Sequence, residues 1–308
     1  MSEEQLAVAR GALSLRNPAV LASGVQGTSL ARTLEAIKLG AGAGITKSIG
    51  PVAREGYPEP TMVEVEGGWV NAAGLPNPGA AAFSEELGSI RGRKLPVIVS
   101  IFGGDGKEFG QVAEALDPKD FMAFELNLSC PHVEGVGTEV GHDPEMVSEV
   151  VKAVKSKTRK PVFAKLSPNT DRLVEIADAA VRAGADGLTA VNTVRSVPID
   201  IEKGRAAISH VYGGLSGPAM KPIALRCVYE LRQKFDVPIM GCGGVARWED
   251  AVQYLLAGAD AFQIGTATLK SLALFNDINL GVFEYMERKG VKKVGDLVGV
   301  AQKGGWKP

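Results

Sequence analysis

The feature that most constrains this chain is a rhythm. Short, continuous apolar runs recur along its length, eight in all, at residues 19–23, 44–47, 96–102, 123–128, 161–166, 187–191, 238–241 and 261–265. A run that is apolar at every position, with no in–out alternation, is the pattern of a strand covered on both faces, as in a parallel sheet. The stretches between carry apolar residues at helical spacing, for example 30–39, 145–155, 171–183 and 221–234. Three helix-to-strand junctions, 39–44, 182–187 and 256–261, contain Gly-Ala or Ala-Gly-Ala, where glycine supplies the helix C-cap. Eight strand–helix units without a linker, in 308 residues, fit an α/β chain folded as one (β/α)8 TIM barrel. An open doubly wound sheet would carry G-x-G-x-x-G after its first strand, whereas that run ends here in Leu21-Ala22-Ser23-Gly24. The expectation is a single domain over residues 1–308. Two segments exceed simple connections, 49–83 and 196–218, both rich in Gly and Pro. In a barrel these insertions fall on the C-terminal face, where active sites are built.

Charge and cysteine content remove several classes. The balance of 34 basic and 35 acidic side chains leaves a net charge of -1 with no basic stripe, so nucleic acid is not an expected partner. Cys130, Cys227 and Cys242 are too few and scattered for a disulfide framework or a metal knuckle, and no metal site is expected. The N-terminal segment lacks the basic and apolar regions of a secretory signal, and no apolar run approaches the ~18 residues of a membrane span. A cytoplasmic location is the expectation. Glycine is in excess, 38 residues against a usual ~7%, without low-complexity tracts, which suits tight turns and ligand loops.

The strand ends are polar in a way that a core does not require. Lys47 closes the second run, Ser100 lies in the third, Asn127 and Cys130 close the fourth, and Lys165 ends the fifth, Asn192 and Thr193 the sixth. Gly243-Gly244 and Gly265-Thr266 follow the seventh and eighth, where barrels bind phosphate on backbone N–H groups. Any one of these could be a satisfied polar group at a loop mouth. A full ring is costly to bury unless a ligand or network satisfies it. Asn127-Leu128-Ser129-Cys130-Pro131-His132 opens a glycine-bearing segment, 133–141, that reads as a lid. Cys130 could be a nucleophile, a base or an inert thiol. Cys227 reads as inert on the apolar side of a helix, Cys242 as intermediate, and neither His142 nor His210 is assigned a role.

Taken in order, these motifs resemble class 1 dihydroorotate dehydrogenases, within them the type B branch. The resemblance rests on Leu21-Ala22-Ser23-Gly24, Thr46-Lys47-Ser48, Asn71-Ala72-Ala73-Gly74-Leu75-Pro76-Asn77-Pro78-Gly79 and Asn127 to Pro131. It continues through Lys165-Leu166-Ser167-Pro168-Asn169, Asn192-Thr193, Gly213-Gly214-Leu215-Ser216-Gly217-Pro218, Gly243-Gly244 and Gly265-Thr266. The likeness implies an FMN-binding barrel that oxidises dihydroorotate to orotate, with Cys130 as the general base. It implies that Lys47, Asn71, Asn127, Asn192, Thr193 and the backbone of Gly74 and Leu75 hold the substrate. Ser23, Lys47, Ser48, Ser100, Asn127, Lys165, Val191 and Gly217 would contact the flavin, and Gly243, Gly244, Gly265 and Thr266 its phosphate. Where the family usually has asparagine after Cys-Pro, this chain has His132, a substrate contact of different geometry. Dihydropyrimidine dehydrogenases are also similar around Cys-Pro-His, making reduction of uracil or thymine one alternative. A non-redox phosphate-binding lyase or isomerase is another. The type B likeness further implies a homodimer and a second subunit carrying FAD and a [2Fe–2S] cluster that reduces NAD.

Overall fold

The computed structural model describes residues 3–27, 29–129 and 140–306. Its centre is a closed barrel of eight parallel strands: β1 (Ala19–Leu21), β2 (Ala43–Ile45), β3 (Val97–Ile101), β4 (Ala123–Asn127), β5 (Val162–Leu166), β6 (Gly187–Ala190), β7 (Ile239–Cys242) and β8 (Ala261–Ile264). Each pairs with its sequence neighbours, and β8 returns to β1 through Phe262 opposite Ala19. Every strand falls on one of the apolar runs to within about two residues, because burial on both faces makes strand and run the same thing.

A helix follows each strand: α1 (Leu30–Lys38), α2 (Gly79–Leu87), α3 (Gly106–Leu116), α4 (Pro144–Lys155), α5 (Leu173–Arg182), α6 (Lys221–Lys234), α7 (Trp248–Ala257) and α8 (Leu274–Lys289). Ser29, Asp105 and Asp143 begin α1, α3 and α4 by accepting backbone N–H bonds from Arg32, Glu108 and Glu145. On α4, Val147, Val150, Val151 and Val154 form one buried stripe. Each such side chain contributes ~1.5 kcal/mol or more on burial, so packing of this face, more than propensity, holds the helix. Gly40, Gly184 and Gly258 turn the chain back toward the sheet with φ of 113°, 104° and 121°. The architecture is a (β/α)8 barrel with its extra structure on the loops after the strands.

Two additions were not legible as strands. A hairpin, Val8–Arg10 with Leu13–Leu15, precedes β1, and Arg10 reaches Asp236 and Asp260 beside the starts of β7 and β8. It therefore covers the face opposite the strand ends. At those ends the two long insertions zip into one antiparallel sheet in the order Val194–Ser196, Gly213–Ser216, Gly68–Asn71, Met62–Val65. One insertion follows β2 and the other β6, on opposite sides of the ring, so this sheet crosses the mouth of the barrel. Among the described residues no helix is long and apolar enough to cross a membrane.

Candidate active site

The strand ends and the crossing sheet enclose a cleft with two adjoining lobes, of about 270 Å³ and about 660 Å³. Ser23, Lys47, Asn71, Lys165, Asn192 and Thr193 line both.

The smaller lobe is walled by a chain of amides and hydroxyls. Asn127 donates to Ser48 Oγ (3.1 Å) and accepts from Asn192 Nδ2 (3.2 Å), while Ser48 Oγ and Ser100 Oγ share a bond of 2.9 Å. Asn192 Oδ1 accepts from the Thr193 backbone N–H (2.8 Å), which fixes the first residues beyond β6. Asn71 donates to the carbonyl of Gly214 (3.3 Å) across the insertion sheet. A side chain at Gly214 would collide with Thr193, its Cβ falling 2.0 Å from Oγ1, so only glycine lets the sheet approach this closely. Gly74 and Leu75 complete the wall. Both have positive φ, 73° and 57°, and for Leu75 that conformation is strained. Asn77 holds the turn in place: its Oδ1 accepts from the N–H groups of Gly50 and Gly79, and its Nδ2 donates to the Leu75 carbonyl.

Lys47 stands apart from this network. Its ammonium has no ion pair among the described residues, and burial pushes its pKa below the usual 10.5. A partly buried cation without an anion beside a ring of amides is a site for an anionic, hydrogen-bonding ligand.

The larger lobe ends in glycine. Val191, Gly217, Gly243, Gly244, Gly265 and Thr266 line it, with Ser23 and Lys165 toward the barrel axis. Gly243 and Gly244 have φ of 138° and 72°. Their N–H groups donate to no acceptor among the described residues. The amides of Ala246 and Arg247, two and three residues on, are already occupied, since they donate to Asp250, which Lys221 also pairs. The hydroxyl of buried Tyr254 donates to the Gly243 carbonyl (2.6 Å). Because a trans peptide points its C=O and N–H in opposite directions, this bond turns the Gly244 N–H away from Tyr254. Free backbone donors in a glycine loop after β7 fit a phosphate, and so fit the FMN that the sequence likeness implies.

Below the mouth lies a buried polar cluster. The Lys165 ammonium is 3.5 Å from Glu125 Oε1 and donates to Gln263 Oε1 (3.3 Å), with Cys242 nearby. Burial pulls this lysine toward neutrality, but the neighbouring Glu125, with a smaller contribution from Cys242, pulls the other way, and the net direction is upward. Burial also pushes the Cys242 thiol up, which keeps it neutral. Cys227 is buried in the core on α6.

All the expected site residues that are described therefore line one lobe or both. Cys130 and His132 lie outside the described residues, as does 133–139 of the expected lid. The structure adds residues that the sequence did not single out. Arg54, Tyr57, Arg195, His210 and Tyr212 also line the smaller lobe, with Tyr57 and His210 stacked at 4.4 Å and Arg195 over Tyr212 at 4.6 Å. No local pattern marked them, because the insertions meet only through the sheet. Glu125 and Gln263 did carry a signal, as polar residues in the middle of runs that are otherwise apolar, save for Asn127 at the end of the first.

Comparison with known proteins gives a consistent result. A family described as dihydroorotate dehydrogenase matches residues 5–286. The chain is 51% identical over 292 residues to dihydroorotate dehydrogenase B (NAD(+)), catalytic subunit, of Pyrococcus furiosus, covering 94% of this chain and 97% of that one. The protein of the same name from Pyrococcus horikoshii is 49% identical over 98% of this chain and 100% of its own length. A crystal structure of DHODH in complex with ferulenol from Eimeria tenella aligns with a TM-score of 0.84 at 21% identity. It covers 97% of this chain and 89% of that one, a likeness of fold.

Proposed function

This chain belongs to the dihydroorotate dehydrogenase family, and on that premise we propose that its cleft oxidises dihydroorotate to orotate in pyrimidine biosynthesis, with FMN in the larger lobe and substrate in the smaller. One observation carries the assignment of lobes. Among the described residues, a lysine with no ion pair, set among amides, adjoins a glycine loop whose N–H groups have no acceptor, so an anionic ring and a phosphate have neighbouring seats.

Dihydroorotate offers a carboxylate and ring amide groups. Lys47 supplies the charge for the first, and Asn71, Asn127, Asn192 and Thr193 can donate to or accept from the second. Gly74 and Leu75 offer backbone groups at the same wall. Ser23, Ser48, Ser100, Val191, Gly217 and Lys165 would hold the flavin, and Gly243, Gly244, Gly265 and Thr266 its phosphate. FMN, when bound, supplies the hydride acceptor.

The protein must take the proton. Cys130 directly follows Asn127-Leu128-Ser129, and both Asn127 and Ser129 line the smaller lobe. As thiolate, Cys130 accepts the proton from carbon 5 while the hydride leaves carbon 6, and the single bond between them becomes double. His132 would add a hydrogen bond to a ring carbonyl, and segment 133–141 would exclude water. The relatives' names, each the catalytic subunit of an NAD(+) enzyme, support a second subunit that passes electrons to NAD, and the type B likeness would give that subunit FAD and a [2Fe–2S] cluster. A homodimer of this chain, one FMN-binding domain over residues 1–308 and a cytoplasmic setting complete the proposal.

Anaerobic mixing of FMN-loaded protein with dihydroorotate, dihydrouracil and dihydrothymine tests it. Bleaching by dihydroorotate alone is the expected result; bleaching only by dihydrouracil or dihydrothymine would move the chain to the dihydropyrimidine reaction. A colourless preparation that takes up no FMN would favour the non-redox barrel. Cys130→Ala should still bind FMN but be reduced on the order of 10²–10⁴-fold more slowly. Reduction of that variant at full speed refutes the base assignment.

A further inference from the structure

We propose that Glu125 is a positioning residue for Lys165: its buried carboxylate keeps the lysine's ammonium charged and at the cleft, and so sets how strongly the larger lobe favours a flavin that gains electrons. This rests on the assignment of FMN to that lobe.

The strand β4 reads Ala-Phe-Glu-Leu-Asn, and Glu125 lies two residues below Asn127 on the same face, inside the barrel. It is 0% exposed, and a carboxylate there is tolerated only with compensating partners. Its two oxygens are used differently. Oε2 accepts from Thr189 Oγ1 (2.9 Å) and Gln263 Nε2 (2.8 Å), which fixes the side chain. Oε1 has no hydrogen bond and faces Lys165 Nζ at 3.5 Å. Gln263 bridges the pair, since its Oε1 takes a bond from the same ammonium.

Lys165 is 5% exposed yet lines both lobes, so its charge reaches the cleft from a dry setting. The titratable groups that face it are Glu125, Cys242 and, across the shared wall, Lys47. Cys242 is held as a neutral thiol by burial, and Lys47 is a like charge. Glu125 is therefore the one counter-charge among the described residues that can keep this amine protonated. A fixed cation stabilises negative charge arising on a neighbouring ring, and it acts strongly where water is excluded. Remove the carboxylate, and burial favours the neutral amine. The larger lobe then loses the positive charge at Lys165 as pH rises, leaving that of Lys47.

The test is Glu125→Gln, which keeps shape and one acceptor but removes the charge. FMN uptake, the midpoint potential of the bound flavin and anaerobic reduction by dihydroorotate are measured from about pH 6 to about pH 9. The variant should take up FMN, with a potential that falls progressively below wild type as pH rises. Its reduction should develop the same high-pH limb, about tenfold slower than wild type at the alkaline end. Glu125→Asp keeps the charge but retracts it, and should shift that limb to higher pH than the Gln variant. A Gln variant with wild-type potential and pH profile overturns the proposal, as does an equal loss at every pH. If Glu125→Gln does not fold, Lys165→Met with Glu125→Gln removes both charges together. That pair should show a potential below wild type at all pH values without a limb, and a wild-type potential in it overturns the proposal. Wild-type protein that takes up no FMN overturns the flavin assignment itself, and this proposal with it, before any variant is compared.

Discussion

Lys47 shows at the scale of one residue how a binding site is held at a cost to the empty protein. Burial lowers its pKa in the folded chain, so between that lowered value and the ordinary 10.5 the unfolded state binds more protons. Stability of the ligand-free protein therefore rises with pH across that window. Below it, both states are charged and the full burial penalty remains. An anionic ligand reverses the balance by supplying the missing partner. Lys47→Met should remove the pH slope and raise the thermal midpoint of ligand-free protein by about 2 °C. The same variant should bind orotate on the order of 100-fold more weakly, since a charge-assisted contact is lost. Calorimetry without ligand and an orotate titration check the two halves. A variant that is less stable in the empty state, or binds orotate as before, contradicts the account.

At the scale of elements, the repeated turn Ala-Gly-Ala-Asp carries more than the C-cap its glycine supplies. It occurs before β6, ending in Asp186, and before β8, ending in Asp260. Each aspartate accepts the N–H of the neighbouring strand's first residue at 2.8 Å, Val162 of β5 and Ile239 of β7. Each also pairs with a cation from a flanking helix, Lys155 on α4 and Arg232 on α6. The difference is burial: the Arg232–Asp260 side chains are 10% and 5% exposed, those of Lys155–Asp186 28% and 31%. Asp260→Ala should cost about 3–5 kcal/mol because it strands a buried guanidinium, whereas Asp186→Ala should cost about 1 kcal/mol. Urea unfolding of both variants measures the gap, and equal losses would remove burial as its cause. The barrel strands were legible because each is apolar on both faces. The crossing sheet was not: Gly68–Asn71 and Gly213–Ser216 are short and glycine-bearing, and pair across a separation that no local periodicity records.

The molecule as a whole sets the candidate site by bringing the eight strand ends to one mouth. Residues at those ends, such as Lys47, Asn127 and Lys165, were legible because a full ring of polar side chains there is costly to bury without a ligand or network. Arg54, Tyr57 and His210 were silent because their place depends on two insertions meeting over the barrel. The same geometry bears on where electrons go. Ser23, Lys165 and the glycine loops fit a flavin, while the chain has no G-x-G-x-x-G after a strand and only three cysteines. Among the described residues no group of histidine, cysteine and acidic side chains could hold a metal. A nicotinamide would need its own recognition site, and two-electron transfer between separate sites needs carriers between them. FMN-loaded chain should therefore be bleached by dihydroorotate and stay bleached when NAD is added without air. An artificial electron acceptor should restore its colour. Adding the proposed FAD and iron–sulfur subunit should then allow NAD reduction, followed as NADH absorbance. Steady NAD reduction by this chain alone, at a rate matching the reconstituted pair, would place the whole electron path within one barrel and remove the need for a partner.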